Sequence, residues 1–207
     1  MDVGYIASTG FGTVLVEMYI TLLPIIVAGC LNMIWCRLPW PPRLRKPIDS
    51  GKNWGDGHRL LGDNKTWLGF LGMMLLGMIC MIVWGSISTG SIYLTEHNYF
   101  YRYFANSLPY NTIVGLATGF AYALFELPNS FMKRRLRIEP GKRAKGRLSV
   151  LFVILDQADS VFGVTFVVAL LCPMGLLFGL LYICVGTVTH ILFNMLLFAL
   201  HLRDNPF

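Results

Sequence analysis

Charged residues are scarce in this sequence. Asp, Glu, Lys and Arg together make up 14% of its 207 residues, whereas 55% are hydrophobic. A soluble domain carries roughly 25% charged residues, and several long apolar runs accompany the shortage here. The composition therefore excludes an ordinary soluble domain and predicts an integral membrane protein. Because membrane spans would take up most of the length, we expect a single membrane domain, residues 1–207.

Several familiar motifs are missing as well. The five cysteines form no CxxC pair and lie mostly within apolar runs, so neither a zinc site nor a disulfide framework is predicted. The sequence matches neither the P-loop nor the dinucleotide-binding fingerprint. Its first basic residue is Arg37, so the amino end lacks the positive region of a signal peptide, and none is expected.

Five apolar stretches are present, each with the roughly 20 residues that a bilayer-spanning helix requires. They predict an all-α fold, namely a polytopic membrane protein with about five transmembrane helices. The predicted spans are residues 13–36, 67–88, 112–132, 148–171 and 176–200.

Basic residues are concentrated in two of the connecting loops. Fifteen of the seventeen Lys and Arg residues fall within residues 37–66 and 133–147. By the positive-inside rule both loops are predicted to be cytoplasmic, which places the amino terminus outside and the carboxyl terminus in the cytoplasm. Because the basic blocks lie between apolar spans, they favour an anionic membrane surface or a phosphorylated substrate over nucleic acid.

Two carboxylates interrupt the fourth apolar stretch. Asp156 and Asp159 are three residues apart, so they share one face of a helix. Placing a carboxylate near hydrocarbon costs several kcal/mol of insertion free energy, so a functional role is the leading hypothesis. Oxygen ligands of this kind suit Mg²⁺, which also binds substrate phosphates. The alternative is a polar contact between helices or an ion pair with Lys or Arg.

A polar cluster precedes the second span. Asp63, Asn64, Lys65 and Thr66 stand directly before an apolar run. The free N–H groups of a helix amino terminus suit phosphate, and Lys65 could pair with it. The alternative is ordinary helix capping. Asn32, on the first helix, could point into the same bundle or could simply form a hydrogen bond between helices.

A third cluster lies near the end of the third span. Glu126 and Asn129 are followed by three consecutive cations, Lys133, Arg134 and Arg135. Glu126 could supply a metal ligand, and the cations could hold phosphates by charge-assisted hydrogen bonds. The alternative is that the cations only set topology and contact anionic lipid.

Other polar and aromatic residues are predicted to be structural. The loop of residues 89–111 is rich in aromatic residues and is expected to be an outer interfacial anchor. Thr187, His190 and Asn194 share one face of the fifth helix and are predicted to pack. Glu17 is expected near the outer interface, without a role in chemistry.

These polar groups, in this order, resemble the CDP-archaeol synthase family, the CTP:lipid-phosphate cytidylyltransferases of archaea and their bacterial relatives. The resemblance covers nearly the whole chain, and its most specific blocks are GDNKTW and DQAD. One departure is that Glu126-Leu127 stands where archaeal members tend to carry Gly-Asp. The carrying segments are PIDSGKNWGDGHRLLGDNKTWLG (residues 47–69), SFMKRRLRIEPG (130–141) and DQAD (156–159), with Pro24, Ala28 and Asn32.

The resemblance implies a reaction in which a lipid phosphate attacks the α-phosphorus of CTP, giving a CDP-lipid and pyrophosphate. Mg²⁺ would be held by Asp156 and Asp159, with Glu126 as a further ligand, and Lys65 and Lys133 would join the two aspartates as catalytic residues. The expected substrate-binding residues are Asp63, Asn64, Thr66, Arg134, Arg135, Asn32 and Asn129.

The expected partners are CTP, a lipid phosphate (archaeol-phosphate-like or phosphatidic acid) and membrane lipids, but no nucleic acid. The resemblance suggests a bacterial-type member in the inner membrane, with its active site facing the cytoplasm. The alternative functions are a non-catalytic protein that binds anionic lipid and a small transporter. Five spans without inverted repeats argue against the transporter.

Overall fold

The computed structural model describes residues 1–140 and 148–201, and within them the chain is helical, without a named strand. Five long helices correspond to the five predicted spans, which confirms the all-α prediction, and two short helices were not predicted. The α-helices are α1 (Val3–Thr9), α2 (Phe11–Arg37), α3 (Trp67–Thr89), α4 (Ile92–Glu96), α5 (Leu108–Arg135), α6 (Leu148–Leu171) and α7 (Leu176–Ala199).

Four of the described helices are long and apolar enough to cross a membrane, namely α2, α3, α6 and α7. The fifth long helix, α5, has 28 residues but a more polar composition, because it carries Asn111, Glu126 and Asn129 and ends in cations. Its length still exceeds the roughly 20 residues that a span requires. The direction in which the bundle crosses the membrane stays a prediction.

Helix α5 extends beyond its predicted limits at both ends. It begins at Leu108 rather than at residue 112 and ends at Arg135 rather than at residue 132. The three cations from Lys133 to Arg135 therefore form its last turn, so the predicted loop boundary at residue 133 is three residues too early. Basic side chains in a last turn interact favourably with the negative end of the helix dipole.

Helix α5 lies between α3 and α6 and packs closely against both. A Cβ atom at Gly119 would lie 2.5 Å from the carbonyl oxygen of Met73 on α3, and one at Gly163 on α6 would overlap the carbonyl oxygen of Ala121. Small residues allow such close approach of helix backbones in membranes. The packing places the polar end of α5 between the start of α3 and the carboxylates of α6.

The loop between α2 and α3 is attached to the start of α3 by backbone hydrogen bonds. Ile48 N donates to Lys65 O (2.8 Å) and Trp67 N donates to Lys46 O (3.0 Å), on either side of a bridge between Pro47 and Thr66. We call residues 46–48 and 65–67 the loop clip. It fixes the backbone position of Lys65.

The aromatic loop between α3 and α5 departs from its predicted role. Tyr99, Phe100 and Tyr101 are buried in the core, so the prediction of an interfacial anchor is wrong for these three rings. Asn98 caps the turn by accepting from Phe100 N (3.0 Å), and Thr21 on α2 accepts from Tyr99 N (3.0 Å). These backbone contacts turn the rings inward, whereas Tyr93, Tyr103 and Phe104 remain exposed.

Candidate functional site

A cavity of about 570 Å³ opens where the end of α2, the start of α3, the end of α5 and the first half of α6 meet. This volume lies within the range of small-molecule pockets, roughly 300–1,000 Å³. Most of the predicted site residues line it, from four separate segments of the chain. They are Asn32, Asn64, Lys65, Thr66, Glu126, Asn129, Lys133, Arg134, Asp156 and Asp159.

The two predicted metal ligands on α6 are joined through α5. The side-chain nitrogen of Asn129 donates to Asp156 Oδ1 (2.7 Å) and to Asp159 Oδ2 (2.8 Å). Lys133 Nζ bonds the second oxygen of Asp156, and Ser160 N donates to Asp159 Oδ1 (2.6 Å). One amide therefore sets the spacing of the two carboxylates.

Lys65 and Glu126 form an ion pair across the cavity. Burial is the largest single influence on the pKa of the Lys65 ammonium and would lower it, but Glu126, Asp159 and Asp156 together raise that pKa above its usual value. Lys65 is therefore a cation at neutral pH, held close to three carboxylates. The charge that it presents to the cavity is balanced by α5 and α6 rather than by its own loop.

The neighbours of Lys65 organise the start of α3. Thr66 is the N-cap of this helix and accepts from Gly69 N (3.1 Å), which is the capping role that the sequence left open. Asn32 Nδ2 donates to Gly69 O (3.2 Å) and so connects α2 to the same turn. Both side chains also line the cavity together with Asn64.

Arg134 is buried beside the cavity with part of its guanidinium unpaired. Its exposed fraction is 5%, and its Nε and Nη1 atoms have no hydrogen-bond partner within the described residues. A buried charge without a partner is strongly unfavourable. The arrangement therefore favours an anionic ligand at this position, and phosphate suits a guanidinium.

Two predicted residues do not line the cavity. The Asp63 side chain is 71% exposed and forms an ion pair with Arg59 (2.7 Å). Arg135 pairs with Asp56 and also donates to the carbonyl oxygens of His58 and Arg59. Within the described residues, both contact the first loop rather than the interior, and their substrate-binding roles stay predictions.

The fit to a divalent cation depends on two carboxylates rather than on a larger cluster. Across residues 1–140 and 148–201, no three His, Cys, Asp or Glu side chains are grouped closely enough to hold a metal. Mg²⁺ commonly binds through one or two carboxylates plus water and substrate phosphates. Asp156 and Asp159 fit that pattern, and the buried Oδ1 of Asn129 beside them lacks a partner among the described residues. Glu126 contacts Lys65 instead, so its role as a metal ligand stays a prediction.

Sequence reasoning missed part of the lining. His190 and Asn194, which it assigned to packing, do pack: His190 Nδ1 lies 3.0 Å from Gln157 O, and Asn194 bonds the side chain of Gln157. All three also line the cavity, as does Tyr122. The available signal was the position of Gln157 inside the DQAD motif and the polar face of α7.

Asp49, also missed, organises the first loop. Its carboxylate is buried and accepts from the backbone N–H groups of Gly51, Leu61 and Gly62 and from Arg59 (2.8–3.1 Å). Burial alone would raise the pKa of Asp49, but these hydrogen bonds, led by that of Arg59, hold it well below the usual range. The loop is thus folded around one charged side chain.

Comparison with known proteins gives a consistent result. A CDP-archaeol synthase of Thermofilum pendens is 32% identical over 186 residues, which cover 89% of this chain and 78% of that protein. A CDP-archaeol synthase of Pyrococcus furiosus is 38% identical over an alignment that spans about half of each chain, 48% and 52%. A solved structure, described as an intramembrane enzyme for archaeal membrane lipids biosynthesis, is 25% identical with a TM-score of 0.60 and covers 87% of this chain and 94% of its own.

These relatives are archaeal, so the bacterial inner membrane stays a prediction. The family model described as CarS-like, CDP-archaeol synthase, matches residues 13–207. Because this model matches most of the chain and the Thermofilum pendens relative is above 30% identity over most of both proteins, this chain belongs to the CarS-like CDP-archaeol synthase family.

Proposed function

We propose that this chain transfers the CMP group of CTP to a membrane lipid phosphate, forming a CDP-lipid and releasing pyrophosphate. The observation that carries the proposal is the cavity in which a paired set of carboxylates lies beside the partly unpaired, buried Arg134. Carboxylates that can hold a hard cation, next to an unsatisfied guanidinium, form a binding site for a phosphate chain. Membership of the CDP-archaeol synthase family indicates that the nucleotide is CTP and that the acceptor is a lipid phosphate.

In the proposed reaction an oxygen of the lipid phosphate attacks the α-phosphorus of CTP, and the bond from that phosphorus to the β-phosphate oxygen breaks. The lipid phosphate is itself the nucleophile, so no side chain has to form a covalent intermediate. The chain's main tasks are therefore to position two anions in line and to stabilise the charge that develops between them.

Asp156 and Asp159 would hold Mg²⁺, with Glu126 as a further ligand. Bound there, Mg²⁺ would supply positive charge that neutralises the phosphates. Asn129 keeps the two aspartates at a fixed separation through its shared hydrogen bonds. Such positioning is a major part of catalysis by electrostatic preorganisation.

The cations of the cavity would bind the phosphates of the substrate and of the product. Arg134, whose Nε and Nη1 are unpaired among the described residues, would bind the triphosphate. Lys65 and Lys133 already contact carboxylates, so they would exchange part of these contacts for phosphate oxygens and stabilise the departing pyrophosphate. Asn32, Asn64 and Thr66 would line the nucleotide position.

A short segment of the substrate's hydrocarbon would occupy a neighbouring apolar crevice, and the rest of the chains would stay in the bilayer. This crevice of about 80 Å³ lies between α2 and α7, and Leu22, Ile26 and Leu197 line it. It shares Tyr122 and His190 with the polar cavity. The lipid phosphate could thus reach the cavity while its chains stay in an apolar environment. Archaeol-phosphate-like lipid and phosphatidic acid both meet this requirement.

The site is built from α2, α3, α5, α6 and the first loop together, so we propose that residues 1–207 act as one membrane domain. The loops at about residues 37–66 and 133–147 would face the cytoplasm, where CTP is available. This orientation agrees with the positive-inside rule, and it would put the cavity at the inner leaflet of the membrane.

A turnover assay tests the proposal. Purified protein receives CTP labelled at the α-phosphate, Mg²⁺ and a panel of lipid phosphates, and the lipid fraction is analysed for label. We expect label in a CDP-lipid and an equal amount of pyrophosphate, with both lost in EDTA and in Asp159→Asn. Protein that binds CTP but yields no labelled lipid with any of the lipids would contradict the transferase activity and favour a non-catalytic lipid-binding role.

A further inference from the structure

Apart from the polar cavity and the apolar crevice, a groove lies on the face of α3 opposite the polar cavity. It has a volume of about 290 Å³ and runs between the first loop and α3, lined by Trp67, Leu68, Leu71 and Leu75. The α3 residues that line the polar cavity are different ones, namely Gly69, Phe70 and Met73. We call this feature the α3 groove.

Among the described residues that line the α3 groove, two are charged, and both are cations, Arg43 and Lys46. Both are exposed, and neither forms an ion pair with a described residue. In this they differ from Arg59 and Lys65, whose charges in the same loop are matched by carboxylates. The groove therefore presents unmatched positive charge, which is complementary to an anion.

Below the two cations the surface is apolar. Trp67, Leu71 and Leu75 are 40–55% exposed, and the same face continues with Ile79 and Val83 at intervals of four residues. Helix α3 is long and apolar enough to span a membrane, so this stripe faces hydrocarbon. A Trp at the level of the head groups, with cations above and an apolar face below, matches the profile of a membrane interface.

We propose that the α3 groove binds one anionic phospholipid of the surrounding membrane. Its phosphate would contact Arg43 and Lys46, and one of its chains would lie along Leu71 and Leu75. The occupant differs from the substrate, because α3 separates the groove from the polar cavity and the described residues that line the groove include no carboxylate to hold a metal. Charge complementarity and the apolar stripe together select a lipid rather than a free anion.

The bound lipid would act on the loop clip. Lys46 O accepts from Trp67 N, and Lys65 O accepts from Ile48 N. The clip therefore joins the two groove residues Lys46 and Trp67, and Trp67 lies two residues after Lys65. A lipid that contacts both Lys46 and Trp67 would hold the clip closed and keep Lys65 in position. This consequence for turnover rests on the proposed function, whereas the binding itself does not.

Lipid binding can be measured directly by native mass spectrometry of the full chain. The protein is released from detergent after equilibration with phosphatidylglycerol or with phosphatidylcholine. We expect one retained phosphatidylglycerol, preferred about tenfold over phosphatidylcholine. The preference should disappear in Arg43→Gln/Lys46→Gln and persist in Lys52→Gln/Arg137→Gln, which removes the same charge from exposed residues outside the groove.

The outcomes separate the possible occupants. Equal loss in both double variants would mean a general charge effect and would overturn the proposal, as would equal retention of the two lipids by the wild type. Displacement of the lipid by millimolar inorganic phosphate would show a plain anion site instead. Competition by the lipid phosphate substrate at its own working concentration would identify the groove as a substrate site.

Turnover in vesicles tests the consequence separately. Adding phosphatidylglycerol to phosphatidylcholine vesicles should raise the turnover of the wild type and of Lys52→Gln/Arg137→Gln, and should have no effect on Arg43→Gln/Lys46→Gln. Lys46→Arg keeps the positive charge in the groove and should therefore retain the response to phosphatidylglycerol. Absence of all turnover in the wild type would refute the proposed function and leave the binding result intact.

Discussion

Both ends of the helical bundle place carboxylates next to cations, but the two ends differ in how completely these groups are paired. At the end away from the cavity, Glu17 accepts from Tyr5 Oη (2.8 Å) and forms an ion pair with Arg102 (3.3 Å). The Arg102 guanidinium also lies over the rings of Tyr5 and Tyr99. We call these four residues the Glu17 cluster.

The Glu17 cluster packs against aromatic rings, whereas the pairs at the other end surround a cavity. Glu17 is 3% exposed, and both of its oxygens accept a hydrogen bond. In the polar cavity, Arg134 and Asn129 keep buried polar atoms without a partner among the described residues. A buried carboxylate in a membrane helix is thus insufficient to identify a functional site. Incomplete pairing beside open space is the more specific sign.

The largest expected effect is on turnover at the polar cavity. Asp159→Asn should lower kcat by about 10³-fold, the scale seen when a group that stabilises the transition state is removed. Asp156→Asn should have a similar effect, because both carboxylates would hold the same cation. The measurement is steady-state transfer of labelled CMP, with thermal unfolding as a check of folding. A loss of less than tenfold in both variants would remove the metal assignment.

The second prediction concerns stability at the Glu17 cluster. Glu17→Gln should lower the free energy of unfolding by about 2 kcal/mol, because the half-buried Arg102 guanidinium would lose its carboxylate partner. Turnover per folded molecule should remain that of the wild type. Denaturant unfolding in detergent and the same transfer assay provide the two measurements. A selective loss of turnover with unchanged stability would reverse the assignment of the two ends.

Arg134→Gln provides the third test, in which function and stability should move in opposite directions. The KM for CTP should rise about 30-fold with the loss of a charge-assisted contact to phosphate. The free energy of unfolding should stay constant or rise, since the change removes a buried charge that is only partly paired without ligand. A fall in stability with unchanged KM would show that Arg134 supports the fold.

Local patterns in the sequence were enough to predict the helices and most of the cavity lining. Apolar runs gave the five long helices to within a few residues, except at α5, whose cationic last turn is helical. The carboxylates in an apolar run and the polar block before α3 led to Asp156, Asp159 and Lys65, all of which line the cavity.

Pairing between distant segments could not be predicted in the same way. Asn129 could have bonded many partners, and only the close packing of α5 on α6 places it between the two aspartates. Asp63 and Arg135 have the same residue types as true lining residues, but they form ion pairs with Arg59 and Asp56 instead. These choices depend on distances between segments far apart in sequence, which local periodicity does not contain.

The smallest expected effect compares two carboxylates that contact the same guanidinium of Arg59. Asp49 is buried and also accepts from three backbone N–H groups, whereas Asp63 is exposed. Asp49→Asn should therefore raise the rate of tryptic cleavage at Arg59 about tenfold, the scale of a lost charged hydrogen bond. Asp63→Asn should change that rate by less than about twofold, as expected for a surface ion pair.

The same comparison has a pH dependence with a definite sign. The pKa of Asp49 is lowered in the folded loop, so its contribution is fully present above the usual Asp pKa of about 3.9 and is lost as pH falls through the lower folded value. Emission from Trp54, which lies in this loop against Phe131, should stay constant from pH 7 to about pH 4 in the wild type and in Asp63→Asn, and change only below that. In Asp49→Asn the acid transition should be absent. An equal acid transition in all three proteins would mean that another carboxylate holds the loop together. The buried Asp49 and the exposed Asp63 would then not differ in their contribution to the stability of the loop.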